Sequence, residues 1–500
     1  MKGKTCLLCF LCSMNYKLIK PGALLLSLLL FCARAAMAQT TISVDFDTCV
    51  GSGYIGNGVQ WDPYQLDYGH GKMSFTEADW QKIYRRLDFM RLQLVRVVHN
   101  TAELMRDGKL DVHGNFDQVK HILDYCQQRG ATVIFGDWGW GLANAKDSTF
   151  DRKKVELAAD YVTWLVEKQG YSCIKYYNFI NEPNGYWSVT EGNYGLWRDM
   201  TLCFYNRLKK NRMLDKVQLV GADLAIWTPA EVSWQRQASR DIDFSLYDIH
   251  TYPSKLTVNS GEYSRIIKAY RDAVPKGKKI VMGEVGLKFV EPADSLYQQE
   301  NLRRAASLPY ASMDDSQMFI FDYMYGTDMA DVIIQTANAG YSGCVAWMLD
   351  DAMHSAESPD KLKMWGFWNI FGEEFFGADH EKVRPWFYAW SLLTRYMPAG
   401  SDVCRSSVEG NLAVKALAVR KDGKKVVVLL NVSKRPQRVT VKGGSVMARC
   451  KTYVYAEGRL RLSGDAVLEP TDDSAVIDLV NGETVDLPGE SMWLATDFDY

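Results

Sequence analysis

Eight short runs rich in β-branched and aromatic residues alternate with amphipathic helical stretches between residues 55 and 395 of this 500-residue chain. Strands that alternate with helices form a parallel sheet, because each helix carries the chain back to the end at which the strands begin. Eight such units in about 340 residues have the size of a (β/α)8 TIM barrel. The runs comprise residues 56–62, 94–100, 131–140, 174–183, 217–225, 244–253, 278–286 and 343–351.

The pattern changes near residue 398 to short runs in which polar and apolar residues alternate. An example is KKVVVLLNVS at 424–433, which follows the turn signal Asp422-Gly423. Runs of this kind over about 100 residues are typical of an antiparallel β-sandwich. The strand-like TISVDF at 41–46 precedes the barrel, and it either joins that sandwich or plugs the barrel floor.

The first 38 residues have the composition of an export signal. Lysines precede a short apolar core at 23–31, and Ala36-Met37-Ala38 forms a small-x-small cleavage site before Gln39. The core is shorter than the 18 or so residues that span a membrane, and no later stretch approaches that length. We expect cleavage after Ala38 and a secreted protein, periplasmic or extracellular; a lipoprotein attached through Cys32 stays open. The predicted domains are a signal peptide at 1–38, an N-terminal strand segment at 39–54, the barrel at 55–398 and the sandwich at 399–500.

Charge and composition exclude several classes of partner. The 58 basic and 60 acidic residues give a net charge of -2, so no basic field attracts nucleic acid or anionic lipid. Aromatic residues make up 12% of the chain, with 15 Trp, and exposed indoles bind the apolar faces of sugars. Four of the eleven cysteines lie in the leader, and the rest are scattered, which argues against a disulfide scaffold; a bridge between Cys404 and Cys450 stays open. The seven His show no metal-binding spacing. We expect a monomer with a carbohydrate partner.

Two glutamates stand where two of the runs end. The fourth run, IKYYNFINEP, breaks into Asn181-Glu182-Pro183, and the seventh, KKIVMGEVG, carries Glu284. Barrel active sites lie at the carboxyl ends of the strands, and strands four and seven face each other across an eight-stranded barrel. Two carboxyl groups brought together in this way can cleave a glycosidic bond. We predict that Glu182 is the general acid and base and that Glu284 is the nucleophile.

From residue 55 to 395 the sequence resembles the clan A glycoside hydrolases, the superfamily that includes families five, thirty and thirty-nine. In that clan the acid/base follows an Asn at the end of strand four and the nucleophile ends strand seven, as Asn181-Glu182 and Glu284 do here. The resemblance implies a retaining β-glycoside hydrolase that works by double displacement and needs no metal and no cofactor. The C-terminal sandwich looks like the one appended to families thirty and thirty-nine.

The resemblance also implies roles for residues at other strand ends. Asn181 corresponds to the residue that binds the sugar 2-hydroxyl, and Tyr252 to the one that holds the nucleophile. Arg96 would support the charge of the nucleophile, and Trp347 would form the floor under the sugar. His250, Trp138, Trp140 and Trp187 also lie at or just past strand ends, where sugar contact and simple packing are both open. The candidate substrate-binding residues are therefore Asn181, Arg96, His250, Tyr252, Trp347, Trp138, Trp140 and Trp187.

Other functions remain open at this point. A degenerate barrel can bind carbohydrate without cleaving it, since fold does not fix function. A metal-dependent lyase or an aldolase would need a ligand cluster or a lysine at the strand ends, and neither appears there. A transglycosylase would share the first half of the reaction. A Trp-rich cleft without net charge favours neutral β-glucans, mannans or galactans, and we expect the segments 286–342 and 364–380 to wall it.

Overall fold

The computed structural model describes residues 40–500 apart from 65–66, 69–70, 73–74, 107–108, 115 and 357–359. The predicted signal peptide and its four cysteines lie outside the described residues. Among the described helices, none combines the length and the apolar character needed to cross a bilayer.

The eight predicted runs form a closed barrel of parallel strands. The strands follow one another around it in chain order, and the eighth pairs with the first, which closes the ring. The predicted (β/α)8 architecture is therefore confirmed. After a preceding strand β1 (Thr40–Gly51), the barrel strands are β2 (Gly56–Gln60), β3 (Leu94–His99), β4 (Thr132–Asp137), β5 (Ile174–Phe179), β6 (Gln218–Ile226), β7 (Leu246–Thr251), β8 (Lys279–Val285) and β9 (Gly343–Ala346).

The helices around the barrel carry sequence signals at their ends, as the first of them shows. The first, Glu77–Met90, starts after Thr76, whose hydroxyl accepts the backbone N–H of Asp79 at 3.3 Å while the Asp79 carboxylate accepts the N–H of Thr76. Its buried face recurs every three or four residues. The helices are α1 (Glu77–Met90), α2 (Phe116–Arg129), α3 (Arg152–Glu167), α4 (Tyr194–Lys210), α5 (Val232–Asp241), α6 (Lys255–Asn259), α7 (Glu262–Ala273), α8 (Ser295–Ala306), α9 (Tyr323–Asn338), α10 (Ala378–Glu381) and α11 (Pro385–Arg395).

The barrel interior has an apolar lower part and a polar upper part. Leu94 of β3 and Leu246 of β7 face the inside of the barrel. Because side chains along a strand alternate with a period of two, Arg96 and Asp248, two residues further on, face inward as well. The carboxyl end of the barrel therefore carries charged groups above a hydrophobic plug. The plug consists of Leu94, Ile134, Val220, Leu246, Val281 and Val345.

The second domain is one nine-stranded, mostly antiparallel sheet. The predicted C-terminal β-domain is therefore confirmed. Hydrogen bonds join all of its strands into one sheet. Strand β1 lies inside it, antiparallel to residues 402–409 and parallel to 437–443, so the first of the two alternatives for this strand is the one observed. The other strands are β10 (Asp402–Glu409), β11 (Val414–Lys421), β12 (Lys424–Asn431), β13 (Gln437–Gly443), β14 (Val446–Tyr455), β15 (Asp472–Asp478), β16 (Glu483–Leu487) and β17 (Ser491–Thr496).

The sheet packs a core of its own on one face and the barrel on the other. Ala416 and Ala418 of β11 belong to the sheet's own core, whereas Leu417 belongs to the core cluster of the barrel. Polar contacts join the same faces: the Asn338 side chain of α9 donates to the carbonyl of Ala416 at 3.0 Å. All seven described cysteines are free, and Cys404 lies opposite Cys49 of β1.

Removal of the sheet domain is expected to destabilise the barrel. A chain cut at Pro398 would expose the apolar face of α9 and the fully buried side chain of Tyr396. We expect a lower melting temperature and less soluble protein than for the full chain, measured by differential scanning calorimetry and by soluble yield. A truncated barrel that melts at the temperature of the full chain would contradict this account of the domain contact.

One of the two segments expected to wall the cleft is largely buried. The side chains of Trp365, Phe367, Trp368 and Ile370 are at most 1% exposed. Phe367 and Trp368 pack on Trp386 and Phe387 of the last helix, and Trp365 meets Tyr252 edge to face at 5.5 Å. These residues support the barrel end from within and do not form an exposed wall, and the expectation for the rest of the two segments stays a prediction.

Candidate active site

Glu182 and Glu284 meet at the carboxyl end of the barrel, with His250 between them. Glu182 follows β5 and Glu284 lies near the end of β8. One carboxylate oxygen of each glutamate and one ring nitrogen of His250 all lie within 4.8 Å of one another. The two glutamates are 9% and 4% exposed, so both reach the surface of the cleft from within the barrel.

A bulge in β8 directs Glu284 toward the barrel axis. Val281 faces inward, so strict alternation would turn Gly283 inward and Glu284 outward. Consecutive residues of β7 pair with Met282 and Glu284, which leaves Gly283 as an extra residue in the ladder. A bulge of this kind re-aims the next side chain. A side chain at position 283 would not fit, since its Cβ would lie 2.9 Å from Asp248 Oδ2.

A second bulge, in β6, supports Glu182. Ala222 and Leu224 pair with consecutive residues of β7, so Asp223 is the extra residue, and its φ is 57°. Asp223 Oδ2 accepts the backbone N–H of Glu182 at 3.1 Å. Glu182 itself has a φ of 46°, a left-handed conformation that L-residues adopt only when their surroundings hold it. Asp223 therefore fixes the backbone that carries the predicted acid/base.

Glu284 is held by two donors. Arg96 Nη1 donates to Glu284 Oε2 at 3.0 Å, and the Tyr252 hydroxyl donates to Glu284 Oε1. Arg96 Nη2 also donates to Asn181 Oδ1 at 2.7 Å, so one guanidinium links the ends of β5 and β8. Burial raises the pKa of Glu284 above its usual range, while the positive charges of His250 and Arg96 oppose the shift.

His250 connects Glu182 to the charged groups beneath it. Its Nδ1 lies 3.0 Å from Glu182 Oε1, and its Nε2 lies 2.8 Å from Asp223 Oδ1. Burial alone would lower the pKa of His250, but the charges of Asp223 and Glu284 raise it well above its usual value. For Asp223, burial alone would raise the pKa, but the positive charges of His250 and Arg96 hold that pKa well below its usual range. The His250 ring and the Arg96 guanidinium thus alternate with the carboxyl groups of Glu182, Asp223 and Glu284.

Two candidates do not contact the cleft. Arg96 and His250, which the sequence groups with substrate-binding residues, are completely buried. They can act on a substrate only through the carboxylates that they hold, so their assignment to direct substrate contact is corrected. Asn181 and Tyr252 are only partly buried and lie beside the carboxylate pair.

One of the four candidate tryptophans, Trp187, contacts a glutamate, and two others pack together just past the ends of β9 and β4. Trp347 stacks on His354 with ring centroids 5.4 Å apart, and Trp138 meets Trp347 edge to face at 6.4 Å. On the other side, Trp187 Nε1 donates to Glu182 Oε2 at 2.5 Å. Trp140 lies further out in the turn after β4 and is 49% exposed. The structure therefore places Trp187 against Glu182 and puts Trp138 and Trp347 at the same end of the barrel, with Trp140 in the turn after β4.

Three residues of the site were not assigned to it from the sequence. Asp223 and Asp248 lie beneath the glutamates, and the Asp248 carboxylate accepts the backbone N–H of Asp223 at 2.9 Å. Burial and the charge of Asp223 raise the pKa of Asp248 well above its usual value. His354 lies 2.8 Å from a carboxylate oxygen of Asp62 and under the Trp347 ring. Asp223 had a usable signal, because it is a polar residue near the end of the apolar fifth run; His354, in a loop after the eighth, had none.

The acidic groups of the site fit a cation poorly. Two sets of three ligand-type side chains lie close together, Glu182–His250–Glu284 and Asp223–Asp248–His250. Both sets share His250, whose raised pKa favours the charged form, which has no lone pair for a metal. Arg96 contacts a carboxylate in each set, 3.0 Å from Glu284 and 3.2 Å from Asp223. A metal ion would therefore meet two positive charges that already neutralise these carboxylates.

Replacing Tyr252 with phenylalanine is expected to slow the predicted glycoside hydrolysis and to shift its pH profile. The hydroxyl bond favours the ionised form of Glu284, so its loss raises the pKa of Glu284 further. An acid-limb pKa that rises means that activity is lost at a higher pH as the solution is acidified. We expect kcat/KM to fall about 10-fold or more, as for other hydrogen bonds to charged groups. An acid limb that moves to lower pH would contradict this role; Tyr205→Phe in α4 makes the same chemical change away from the site.

Comparison with known proteins agrees with the sequence resemblance. Residues 54–326, more than half of the chain, match the family Cellulase (glycosyl hydrolase family 5). No curated protein matches the sequence. Similar solved structures include a family 30 endoxylanase from Clostridium papyrosolvens C71, a family 39 β-xylosidase from Caulobacter crescentus and a conserved exported protein from Bacteroides fragilis.

These structures show the same fold at low sequence identity. Their identities to this chain are 14%, 12% and 14%, with TM-scores of 0.58, 0.57 and 0.61. Each covers 91% of this chain, which in turn covers 99%, 99% and 100% of theirs, so the likeness extends over both domains. The family match and the glutamate pair at the ends of β5 and β8 lead to one conclusion: the chain belongs to glycosyl hydrolase family 5 and is a glycoside hydrolase.

Proposed function

We propose that this protein is a secreted enzyme that hydrolyses β-glycosidic bonds of a neutral poly- or oligosaccharide with retention of configuration. The observation that carries the proposal is that one carboxylate oxygen of Glu182 and one of Glu284 lie within 4.8 Å of each other. Retaining enzymes hold their carboxyl groups about 5 to 5.5 Å apart, whereas inverting enzymes need about 6.5 to 9.5 Å to admit water.

The first step forms a covalent intermediate. Glu182 donates its proton to the oxygen of the leaving sugar while Glu284 attacks the anomeric carbon, and the glycosidic bond breaks. Arg96 and Tyr252 orient Glu284 for that attack. The Oδ1 of Asn181 is occupied by Arg96, so its amide N–H groups are what remains to bind the sugar 2-hydroxyl.

The second step releases the sugar. Glu182, now a carboxylate, accepts a proton from water, and the water oxygen attacks the anomeric carbon as the ester to Glu284 breaks. His250 and the Trp187 indole both contact the Glu182 carboxylate. They hold it in place through both proton transfers.

A neutral glycan is supported by the surroundings of the pair. Arg96 and His250 are each paired with carboxylates, so neither is free to bind an acidic sugar, and Trp187 contacts Glu182. The similar endoxylanase and β-xylosidase are named for xylan and xyloside substrates, which is in keeping with a β-linked neutral sugar. Export is supported by the leader at 1–38 and by the name of the similar exported protein from Bacteroides fragilis.

The test is a screen of the protein from Gln39 onward against β-linked polysaccharides and aryl β-glycosides. We expect hydrolysis of one class of β-linked glycan, measured as released reducing sugar, and its loss in Glu284→Gln. Activity that persists in the variant would remove Glu284 from the mechanism. Silence across the panel would instead favour a carbohydrate-binding protein without catalysis.

A further inference from the structure

A groove of about 700 Å³ opens past the ends of β5 and β6, and its wall includes Trp187, which donates a hydrogen bond to Glu182. Its walls include Tyr186, Trp187, Trp227 and Trp234. Tyr186 is 84% exposed and Trp227 is 47% exposed, although large aromatic side chains usually contribute to the core. Exposed aromatic residues that line one depression indicate a binding surface.

The aromatic rings of the groove are held in a fixed arrangement. The Trp187 ring meets Trp227 at 5.7 Å and 88° and Tyr186 at 4.9 Å and 80°, so three ring faces border one corner. The loop beneath them fits the indole closely, since a Cβ at Gly185 would lie 2.4 Å from the Trp187 ring. The Asn184 side chain exchanges two hydrogen bonds with the backbone of Ala225 in β6, at 2.7 and 3.0 Å. The surface is therefore formed before any ligand arrives.

The position of Glu182 tells which part of a substrate meets this groove. Trp187 belongs both to the groove and to the environment of Glu182, through its bond to Glu182 Oε2. A general acid protonates the oxygen of the departing sugar, so its neighbours on the outer side contact the leaving group. The other aromatic cluster, Trp347 with Trp138 and His354, comes from the third and eighth barrel strands and the loops after them.

We propose that Trp227, Tyr186 and Trp187 bind the sugars on the leaving-group side of the cleaved bond, so that the enzyme recognises a β-linked glycan chain and not its terminal sugar alone. The ligand is a chain of neutral pyranose rings whose apolar faces stack on the indoles. The inference rests on the proposed function, because it names the leaving-group side by the role of Glu182. It adds that the preferred substrate extends beyond the bond that is broken.

The test uses the Glu284→Gln protein, which binds without turnover, with tryptophan, phenylalanine or alanine at position 227. Affinities for cellohexaose, xylohexaose and mannohexaose are measured by isothermal titration calorimetry. We expect the best-bound hexaose to lose about 10-fold or more in affinity in Trp227→Ala, as for the loss of a stacking partner, and much less in Trp227→Phe, which keeps a ring. Equal affinities in all three proteins, or no binding of any hexaose, would contradict the proposal that this groove binds sugars.

A second measurement identifies the side of the bond. Hexaose labelled at its reducing end is cleaved by the enzyme with Glu284 intact, with and without Trp227→Ala. The leaving group carries the reducing end, so weaker binding there should shift cleavage toward that end; an unchanged pattern or the opposite shift would overturn the assignment. Binding that depends on Trp227 without any cleavage would contradict the proposed hydrolysis and leave the groove standing.

Discussion

Replacing Glu284 with alanine is expected to abolish glycoside hydrolysis, lowering kcat/KM roughly 10,000-fold or more, because no other group can form the covalent intermediate. The carboxylate lies 3.0 Å from Arg96 and accepts the Tyr252 hydroxyl, and both donors serve to position it. The buried Arg96 keeps its ion pair with Asp223 at 3.2 Å when Glu284 is removed, so the chain should still fold. Steady-state rates and a far-UV and near-UV circular dichroism comparison measure the two effects.

A matched control separates loss of the nucleophile from loss of any acidic group. Glu409 is an exposed glutamate of β10 in the sheet domain, and Glu409→Ala removes the same atoms far from the barrel end. We expect this variant to hydrolyse substrate at the rate of the unmodified enzyme. If Glu284→Ala kept a comparable rate, Glu284 would not be the nucleophile.

Replacing Glu182 with alanine is expected to lower the rate by a smaller factor on aryl glycosides with good leaving groups than on glycans. Good leaving groups depart without protonation, so the first step survives and the intermediate accumulates. Azide should then restore turnover, because a small anion can enter the space next to the freed N–H groups of Trp187 and His250. The expected product is a β-glycosyl azide, identified by NMR.

A variant that removes the acid without leaving space for azide is the control for this rescue. Glutamine removes the acid but fills the same volume and keeps a carbonyl oxygen for the Trp187 indole. We expect azide to accelerate Glu182→Ala strongly and Glu182→Gln much less. An azide of α configuration would mean that no covalent intermediate had preceded it, and retention would be ruled out.

The architecture was predictable because strands and helices each leave a periodic pattern of apolar residues in the sequence. The strand runs alternate with helices such as α1 and α3, and the predicted bounds agree to within a few residues with the strands observed. The β-domain was harder to read. Strand β10 was not recognised, since its side chains from 405 to 409 alternate between exposed and partly exposed positions, and β16 was missed because it is only 5 residues long. The place of β1 depends on pairing with strands more than 300 residues away, which no local pattern encodes.

The site was predictable in its residue types but not in its connections. Asn181, Glu182 and Glu284 stand out as polar residues that interrupt apolar runs. The bulges at Asp223 and Gly283 could not be predicted from the sequence. Period-two alternation from Val220 and Val281 predicts that different residues face inward. Only the ladder shows that one extra residue in each strand turns the next groups toward the axis.

Burial explains the corrected assignments. Arg96 and His250 are polar residues within apolar runs, as a substrate-binding residue would be, but they are completely buried and hold the carboxylates of the barrel end. The charge of Asp223 lies beneath His250, and this buried partner decides that both cations face the protein and not the cleft. Sequence shows the cation but not the anion that holds it.

The most direct test of the account is the anomeric configuration of the first product, followed by ¹H NMR as the enzyme hydrolyses a β-glycoside. Double displacement by Glu284 and Glu182 predicts that the β-anomer appears first and that the α-anomer grows in only by mutarotation. An α-anomer that appears first would show single displacement by water. It would contradict the roles assigned to the two carboxylates that meet within 4.8 Å.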